Sequence, residues 1–565
     1  MSKRILIVGG VAGGASVAAR ARRLDEKAEI MMFEKGPHVS FSNCSLPFYL
    51  SRVVNDSNAL VLMSPEQFQK QYRIEARVNS EVTKINRKEK KITVRTLNTG
   101  EEYEETYDTL ILSPGAVPVL PKSIEGIDRP NVFTVRNVVD IRKLDEYLSE
   151  RGIQDVAVVG GGFIGVEVTE NLRVAGRNVS LIEALDQIMA PFDYDMAQIL
   201  HKEMLDHGVN LILSDGVKKI GEDSIELQSG RKVAAEAVVM AIGVRPETGL
   251  AKDAGLEIGE TGGIRVNHDY LTSDPDIYAV GDAIEVYNRL TRKPSRLALA
   301  GPAQRQARAA ADHMYRIPHN NKGVIGSSVV RIFDLNAAST GLNEKSAKAA
   351  GIPCDFAYII PADKVGLMPG SHPLHFKLLY EYPTGRILGA QAVGKGEADK
   401  RIDVIAAMIT MGATLEDLKE LELCYAPLFG TAKDAVNHAA LVGLNLLYGR
   451  FRQVPVTKVR ELVEKNEFIV DVREKNEFDR GHLINAVNIP LSGLRDRLNE
   501  IPKDRPVYLH CRSSQRSYNA VMALQNLGYD NVVNISGSYL GICCYEYYQD
   551  RVTGRKKIVT EYNFT

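Results

Sequence analysis

The sequence predicts an α/β protein made of several domains. Two separate stretches each run from a short apolar strand through a glycine-rich turn into a helix, and then into a second strand that ends in a glutamate. This alternation is typical of parallel sheets covered by helices. The chain has 565 residues, more than one hydrophobic core usually serves, so three or four domains are expected.

The first glycine-rich stretch follows an apolar strand predicted over residues 5–8. Its turn consists of Gly9, Gly10, Val11, Ala12, Gly13 and Gly14. A helical stretch follows, and the next predicted strand, 29–33, ends at Glu34 with Lys35 beside it. Backbone amides at a helix start hold a pyrophosphate, and a strand-end acid accepts from ribose hydroxyls. Val11 replaces the middle glycine of the motif, but the acid favours a nucleotide site over a turn without a ligand.

The second stretch fills all three glycine positions of the same motif. It follows the predicted strand 156–159 and contains Gly160, Gly162, Phe163, Ile164 and Gly165. A helix is predicted over 166–175, and the strand 179–182 ends at Glu183. An acid there suits the free 2′-hydroxyl of NADH and repels the 2′-phosphate of NADPH. Two such motifs predict one flavin site and one nicotinamide site. Phe163 either covers the flavin until nicotinamide displaces it or simply packs at the helix entrance.

Three further segments complete a family pattern. They are Gly281-Asp282 after an apolar strand, Ser113-Pro114-Gly115 after residues 109–112, and Gly243 after residues 238–242. With the two glycine-rich motifs they resemble the flavin and crossover motifs of the pyridine nucleotide-disulfide oxidoreductases, over residues 1 to about 450. The resemblance implies FAD and NADH as cofactors. It also implies an FAD domain over 1–112 and 248–322, an NADH domain over 113–247 and an α+β dimerisation domain over 323–448.

Composition argues against several other classes of protein. A formal net charge of -1 provides no basic face for nucleic acid. No apolar run reaches the length of a membrane span, and the N-terminus enters a strand pattern with no visible cleavable signal. Six cysteines among 565 residues make no disulfide framework, and no Cys/His spacing resembles a metal site. The sequence therefore predicts a cytoplasmic protein without nucleic-acid, membrane or metal partners.

Cys44 is the candidate redox residue of the flavin half. It follows Ser40 and Asn43 in a Ser-Phe-x-Asn-Cys-x-Leu-Pro pattern, and no second cysteine lies four or five residues further on. A lone cysteine cannot close an internal disulfide, so it must cycle through a mixed disulfide, a persulfide or a sulfenic acid. The pattern resembles the single-cysteine branch of the family: coenzyme A disulfide reductases, NADH oxidases and NADH peroxidases. A buried inert thiol is the alternative that this motif disfavours.

Within that branch, the resemblance implies contacts to coenzyme A. Two polar residues match positions that flank the pantetheine sulfur, and several arginines suit its phosphates. The candidates are Ser40, Asn43, Arg20, Arg23, Arg305 and Arg308. For Arg305 and Arg308, a solvated helix face is the favoured alternative.

Tyr425 lies in a Cys-Tyr-Ala-Pro segment of the third domain. The segment resembles one that the partner subunit lends to the active site in coenzyme A disulfide reductases. The resemblance implies a homodimer in which Tyr425 crosses the interface to hydrogen-bond or protonate the departing sulfur. Leu367-Met368 stands where those enzymes carry two tyrosines. An apolar rim there favours a smaller or less symmetric sulfur substrate.

A different pattern begins after residue 452 and contains a second candidate cysteine. A buried strand, 507–510, delivers the loop Cys511, Arg512, Ser513, Ser514, Gln515 and Arg516, and a helix is predicted over 517–527. Helix amides and the arginines favour a thiolate and an anion at this loop, a design shared with arsenate reductases and phosphatases. The Asp-Val-Arg string at 471–473 and the Gly-His-Leu string at 481–483 make residues 453–565 resemble an α/β rhodanese domain. A degenerate copy is the alternative, and Cys543 and Cys544 are expected to be packing or incidental thiols.

Together, Cys44 and Cys511 predict an enzyme that reduces persulfide or polysulfide to thiol and hydrogen sulfide. Electrons are expected to pass from NADH through FAD to Cys44, while Cys511 delivers or accepts sulfane sulfur and a coenzyme A thiol carries it. Three alternatives remain open. They are a coenzyme A disulfide reductase with a passenger rhodanese, an NADH oxidase or peroxidase, and a sulfur-relay transferase whose flavin half is regulatory.

Overall fold

The structure is a computed structural model that describes residues 3–564, and contacts divide them into two compact units. One unit contains the residues up to Ala184 together with Asp215–Val324. The other contains Leu185–Ser214 together with the residues from Ile325 onward. Over residues 3–564, every helix is too short or too polar to cross a bilayer.

The first unit is organised around two parallel sheets. In spatial order, the strands of the first sheet are Ile277–Ala279, Thr109–Leu112, Arg4–Val8, Glu29–Phe33 and Glu75–Arg77. In the second sheet, adjacent parallel strands are Asn178–Ile182, Asp155–Val159, Ala237–Met240 and Val132–Phe133. Ile5, Leu6 and Ile7 are fully buried, as expected of a parallel strand covered on both faces.

Helices and small antiparallel sheets complete this unit. The helices are Ala12–Leu24, Pro47–Leu50, Pro65–Tyr72, Val138–Glu150, Phe163–Val174, Gly249–Asp253 and Ala300–Met314. The antiparallel strands are Ser80–Asn86, Lys91–Thr96 and Glu102–Thr106, then Val217–Ile220, Ser224–Leu227 and Lys232–Ala234, and the pairs Ala116–Pro118 with Val244–Pro246 and Val286–Asn288 with Lys293–Ser295.

The two nucleotide-site helices begin earlier than predicted. The first starts at Ala12, directly after Val11, and the second starts at Phe163 rather than at residue 166. Glycine has a low helix propensity, so the sequence pattern placed the glycines in the turn. Gly13, Gly14 and Gly165 instead lie in the first helical turn, where a missing side chain permits close packing on the strand.

The second unit contains one antiparallel and one parallel sheet. The antiparallel sheet has the spatial order Ser327–Ile332, Leu335–Gly341, Ile387–Gly394, Leu374–Glu381 and Cys354–Ile359. Its unit also contains the helices Tyr194–Asp206, Glu344–Ala349, Ala398–Met411, Leu415–Lys419 and Ala435–Leu447. The buried Lys377 ammonium is 2.9 Å from Asp195 and 3.2 Å from Asp193, which ties the segment before Tyr194–Asp206 to the sheet.

The parallel sheet near the C-terminus carries the second candidate cysteine. Its spatial order is Gln453–Val454, Val532–Ile535, Val507–His510, Phe468–Asp471 and Ala486–Asn488. The helices around it are Val459–Glu464, Lys475–Asp479, Gln515–Asn526 and Ser538–Thr553. The helix after Cys511 therefore begins at Gln515, two residues before the predicted start, because Ser514 adopts a left-handed conformation (φ 76°) as its N-cap.

Candidate active site

The glycine-rich turn of the first sheet is anchored by the strand-end acid. Glu34 Oε2 accepts a hydrogen bond of 2.9 Å from the Gly10 amide, and its other oxygen accepts one of 2.9 Å from the Gly36 amide. Within the described residues, no side chain caps the helix that starts at Ala12. Its first amides are therefore open to an anionic ligand. Glu34, which the sequence predicts to accept hydrogen bonds from ribose, therefore also holds the glycine-rich turn in place.

One cavity of about 320 Å³ opens in front of this turn. It brings together most of the residues predicted to bind flavin: Val11, Ala12, Gly13, Glu34, Lys35, Ser113, Pro114, Gly115, Gly281 and Asp282. Gly9, Gly10 and Gly14 shape the turn behind it. A Cβ on Gly14 would lie 1.9 Å from the Gly9 carbonyl oxygen, so only glycine allows this approach of helix to strand.

The polar lining of this cavity fits a dinucleotide cofactor. Asn43 also lines it, and among the described residues the buried Oδ1 of Asn43 has no hydrogen-bond partner. Burial raises the pKa of Asp282, although Arg136 lies 3.9 Å away. Buried polar groups are normally satisfied, so an orphaned acceptor beside an uncapped helix start indicates a ligand site. Sequence reasoning missed Arg136, which stands in no recognisable motif.

The second glycine-rich turn repeats the geometry of the first. The Gly161 amide donates to Glu183 Oε2 over 2.7 Å, and no described side chain caps the helix that starts at Phe163. A Cβ on Gly165 would lie 1.9 Å from the Gly160 carbonyl oxygen. The two turns therefore have equivalent anchoring and equivalent tight helix packing.

The surface beside the second turn is open and partly apolar. A Cβ on Gly162 or on Gly243 would meet no atom within 4 Å. Ile164 and Ile242 are 38% and 39% exposed, and Phe163 is the first residue of the helix. Open backbone flanked by exposed apolar side chains fits a flat aromatic ring, as NADH supplies. The position of Phe163 agrees with both of its predicted roles.

Cys44 lies in a single turn of 3-10 helix, Asn43–Ser45, and its side chain is exposed. The Ser40 amide donates to the Gly10 carbonyl over 2.8 Å, which ties this segment to the glycine-rich turn. Ser40 itself has a left-handed backbone (φ 48°). Such strain in a residue other than glycine is common at functional sites.

The electrostatics around Cys44 keep its thiol protonated. The surrounding protein partly desolvates the Cys44 thiol, although its side chain reaches solvent, and this raises its pKa; the carboxyls of Glu167 and Asp282 raise it further. Burial also raises the pKa of Glu167 to about 7. A neutral thiol is a weak nucleophile, so removing negative charge from these carboxyls activates Cys44. Sequence reasoning missed Glu167, which sits inside a helix that the motif explains only at its first turn.

A second cavity, of about 360 Å³, has Ser40 among its lining residues. The predicted coenzyme A residues Arg20, Arg23, Ser40 and Arg308 line it, together with Ser16, Tyr72, Met63 and Phe68. Arg20 makes an ion pair of 2.6 Å with Asp312, and Arg308 lies 3.6 Å from the same carboxylate. Arg305 is exposed and lies outside this lining. The cavity combines positive charge with an apolar wall.

Tyr425 lies in an exposed loop of the second unit. It is 50% exposed, and Leu428 and Phe429 in the same loop are 60% and 62% exposed. The Val365 amide donates to the Gly430 carbonyl over 3.1 Å, which joins this loop to the one that carries Leu367, 86% exposed. The two loops together present a set of exposed apolar side chains, and such surfaces commonly mark interfaces.

Cys511 follows its strand directly and is buried, with 1% exposure. Its amide donates to Ser538 Oγ over 3.2 Å, and that hydroxyl lies 4.0 Å from the sulfur, where it can donate to a thiolate. Ser514 Oγ is 3.0 Å from Ser538 Oγ. Ser538 was not among the predicted residues, because it begins a later helix, Ser538–Thr553, and nothing in the sequence links it to the loop.

The arginines of this loop differ in their surroundings. Arg516 donates to both oxygens of Glu477, over 2.6 and 2.8 Å. That carboxylate and the nearby Cys511 raise the pKa of Arg516, whereas burial lowers the pKa of Arg512. Ser513 and Gln515 complete the loop between strand and helix. The loop therefore holds two guanidinium groups beside one buried sulfur, as an anionic persulfide would require.

The segments 471–473 (Asp-Val-Arg) and 481–483 (Gly-His-Leu) are joined by a buried hydrogen-bond network. Arg473 donates to Asp471 over 2.6 Å and to the Gly481 carbonyl over 2.7 Å. Burial alone would raise the pKa of Asp471, but His510 and Arg473 lower it. Since His510 immediately precedes Cys511, this network fixes the strand end that carries the cysteine. The strings that identified the domain are thus structural rather than reactive.

The remaining thiols divide into exposed and buried ones. Cys424 is exposed, while Cys543 and Cys544 are buried in the helix Ser538–Thr553. Burial raises the pKa of Cys543 to about 11 and that of Cys544 to about 12. Buried protonated thiols suit the predicted packing role.

The sequence matches three families along its length. Residues 3–307 match the pyridine nucleotide-disulphide oxidoreductases, residues 327–436 match the dimerisation domain of those enzymes, and residues 455–543 match the rhodanese-like domain. The chain belongs to the pyridine nucleotide-disulphide oxidoreductase family, and it carries a fused rhodanese-like domain. It is therefore an enzyme of a family that uses FAD and NADH.

Individual relatives match either the first three quarters of the chain or nearly all of it. The chain is 34% identical to the coenzyme A disulfide reductase of Staphylococcus epidermidis over 435 residues, which are 77% of this chain and 98% of that protein. The structure resembles reduced Bacillus anthracis CoADR-RHD with a TM-score of 0.93 and 42% identity, covering 97% of this chain and 99% of the other. It resembles the NAD-dependent persulfide reductase from A. fulgidus with a TM-score of 0.91 and 33% identity, covering 95% and 99%.

These matches confirm several predictions from sequence. The α/β fold class, the dimerisation and rhodanese domains and the FAD and NADH cofactors are all as expected. The domain boundaries and the roles of single residues stay predictions.

Proposed function

We propose that this enzyme uses NADH to reduce the sulfane sulfur of a persulfide, with coenzyme A persulfide as the preferred substrate. In the overall reaction, a persulfide RSSH, NADH and a proton yield RSH, hydrogen sulfide and NAD⁺. Two electrons cleave one sulfur–sulfur bond, so atoms and charge balance. The proposal rests on the site around Cys44 and on the rhodanese-like domain that accompanies it.

The short segment 40–44, which ends at Cys44 and contributes a residue to each of two cavities, carries this proposal. Ser40 lines the arginine-rich cavity, and Asn43 lines the cavity with the flavin residues. Cys44 is in the lining of neither cavity, but it directly follows Asn43 in this segment and its thiol is exposed. Arg20, Arg23 and Arg308 suit the phosphates of coenzyme A, and the apolar wall suits its pantetheine arm.

Cys44 supplies the sulfur nucleophile. Its thiolate attacks the persulfide, and either a mixed disulfide forms with loss of hydrosulfide or Cys44 becomes a persulfide with loss of the coenzyme A thiolate. The residues that line the first cavity would hold FAD, which would supply the two-electron transfer from NADH that Cys44 needs to return to the thiol. Because the pKa of Glu167 is about 7, we assign it to hold or release the proton that accompanies these charges.

The rhodanese-like domain supplies or accepts sulfur through Cys511. Its sulfur lies beside the Ser538 hydroxyl, with Arg512 and Arg516 in the same loop. These groups stabilise the negative charge of a bound persulfide. Transfer of sulfane sulfur from Cys511 to a coenzyme A thiol would make the coenzyme A persulfide that Cys44 attacks. The two cysteines would then act in sequence without direct contact.

We further propose that the enzyme is a homodimer in which Tyr425 acts across the interface. The match to a dimerisation domain over residues 327–436 and the exposed Tyr425, Leu428 and Phe429 support this arrangement. Tyr425 would then donate a proton to the departing sulfur. All six cysteines are unpaired, which suits a reducing compartment, and we expect the cytoplasm.

Reduction of coenzyme A disulfide is the second candidate function. The arginine-rich cavity suits either substrate, and a relative named coenzyme A disulfide reductase aligns over 435 residues. Leu367 and its neighbours offer an apolar rim, with Leu367 86% exposed, which favours a substrate smaller than the symmetric disulfide.

A direct competition separates the two candidates. Anaerobic NADH oxidation is measured with coenzyme A persulfide and with coenzyme A disulfide at equal concentration. We expect a higher kcat/KM for the persulfide, with sulfide released. Equal or greater kcat/KM for the disulfide would assign the enzyme to the second function. Arg23→Gln should raise KM for the coenzyme A substrate, whereas Arg305→Gln, outside the cavity, serves as the matched control.

A further inference from the structure

Three histidines and one aspartate converge in the first unit, outside both cavities described above. Asp269 Oδ1 lies 3.3 Å from His319 Nε2 and 3.6 Å from His268 Nδ1. The other oxygen of Asp269 lies 3.6 Å from His313 Nε2. The chain contains 11 histidines in all, so their concentration around one carboxylate needs a physical reason.

The distances are long for hydrogen bonds and right for a shared metal ion. An N–H···O bond is usually about 2.7–3.2 Å long, and all three contacts exceed that range. Bonds of about 2.0–2.1 Å from Zn²⁺ to nitrogen and oxygen place tetrahedral ligand atoms about 3.3–3.4 Å apart. The ligand atoms of His268, Asp269 and His319 all lie within 4.8 Å of one another. Small adjustments would bring them around one ion.

The outer nitrogens of two histidines are held by partners that fix the ring orientation. His268 Nε2 is 3.0 Å from the Asn321 carbonyl, which only accepts, so this nitrogen donates and Nδ1 is the nitrogen that faces Asp269. His313 Nδ1 is 2.7 Å from the Tyr278 hydroxyl, which leaves Nε2 facing Asp269. Partners of this kind are typical of metal-bound histidines.

His319 provides an independent sign of a ligand. Its side chain is only 11% exposed, and within residues 3–564 the buried Nε2 has no hydrogen-bond partner. A buried ring nitrogen that faces a carboxylate without bonding to it is costly. A cation between the two would satisfy both groups.

We propose that His268, Asp269 and His319 form a binding site for a divalent transition metal, with Zn²⁺ as the favoured ion. Two imidazoles and one carboxylate supply three of the four tetrahedral positions, and His313, whose Nε2 lies 3.6 Å from the other oxygen of Asp269, is the nearest further histidine for the fourth. The ion would join the turn at 267–270, the end of the helix Ala300–Met314 and the segment after it. No metal was expected from the sequence, because the interval between residues 269 and 313 matches no familiar ligand spacing.

Two other acidic groupings are weaker candidates because their members already have partners. In one, Lys377 occupies the centre of Asp193, Asp195 and Glu344. The other consists of Glu203, His207 and Asp334. There the His207 ring stacks on Phe333 at 4.1 Å, and its Nδ1 is hydrogen-bonded to the backbone carbonyl of Glu203. His207 therefore offers a matched control, as a histidine in a rival grouping of the same chain.

Metal titration of the full-length enzyme tests the site. Protein stripped with EDTA is titrated with Co²⁺, whose visible absorption reports tetrahedral coordination, and bound Zn²⁺ is then counted by elemental analysis. We expect one tight ion per chain in the parent and in His207→Gln. His268→Gln and Asp269→Asn should lose that ion. His268 is 59% exposed, so its replacement leaves folding intact even if the change at Asp269 does not.

The outcomes separate clearly. Failure of the parent to bind Zn²⁺ tightly would overturn the proposal, as would retention of the ion by His268→Gln with unchanged affinity. Loss of the ion in His207→Gln would move the site to the rival grouping. NADH-dependent turnover should stay the same in His268→Gln, so the result is independent of the proposed function.

Discussion

Replacing Gly165 by alanine should destabilise the second nucleotide domain specifically. The new Cβ would lie 1.9 Å from the Gly160 carbonyl oxygen, whereas ordinary contact begins at 3.4 Å, so the helix Phe163–Val174 must move by about 1.5 Å. Overpacking of this kind costs about 1–3 kcal/mol. A displacement of about 1 Å near a reacting group lowers rates by up to about a hundredfold. For Gly165→Ala we therefore expect kcat/KM for NADH to fall by about tenfold to hundredfold.

Gly162→Ala is the matched control three residues earlier. A Cβ there meets no atom within 4 Å, and the backbone of Gly162 is extended, with φ −79°. In Gly162→Ala the free energy of unfolding should change by less than about 0.5 kcal/mol. The KM for NADH should rise, because the added methyl group enters the open space of the site. Hydrogen exchange of the strand Asp155–Val159 and steady-state kinetics measure the two effects. If Gly165→Ala exchanged and turned over like the parent, the assigned packing would be wrong.

Three further predictions concern charge and burial. Glu167→Gln should lower the pKa of Cys44 and speed the alkylation of Cys44 at pH 8 by up to about tenfold, as a shift of one pKa unit would give. An unchanged alkylation rate would show that the Glu167 carboxyl does not influence the Cys44 thiol. Lys377→Met leaves buried carboxylates without their cation and should cost about 3–5 kcal/mol of stability in denaturant unfolding, and a loss below about 1 kcal/mol would contradict this. With pKa values of about 11 and 12, Cys543 and Cys544 should resist alkylation at pH 8 until unfolding, as peptide mass mapping can show.

The sequence predicted the parts of the site that are local in the chain. The glycine-rich turns, their strand-end acids and the loop at Cys511 each occupy one short segment, and their residue types are dictated by backbone packing and anion binding. The start of the helix at Phe163 was predicted too late, since glycine rarely indicates a helix.

Groups that meet only through folding could not be read from the sequence. Arg136 reaches Asp282 from a distant segment. Ser538 reaches the loop of Cys511 from the helix Ser538–Thr553, which lies beyond a further helix and strand in the chain. Glu167 gains its raised pKa from burial, which depends on tertiary packing. The histidine cluster was missed for the same reason, because the adjacent His268 and Asp269 lie far along the chain from His319.

The most direct test of the account counts sulfide against NADH. Under anaerobic conditions with coenzyme A persulfide, the parent enzyme should release one hydrogen sulfide for each NADH oxidised, as the proposed reaction requires. Cys44→Ser should release none, while Cys424→Ser, which removes another exposed thiol, should behave as the parent. Normal NADH-dependent sulfide release by Cys44→Ser would contradict the central role of this cysteine.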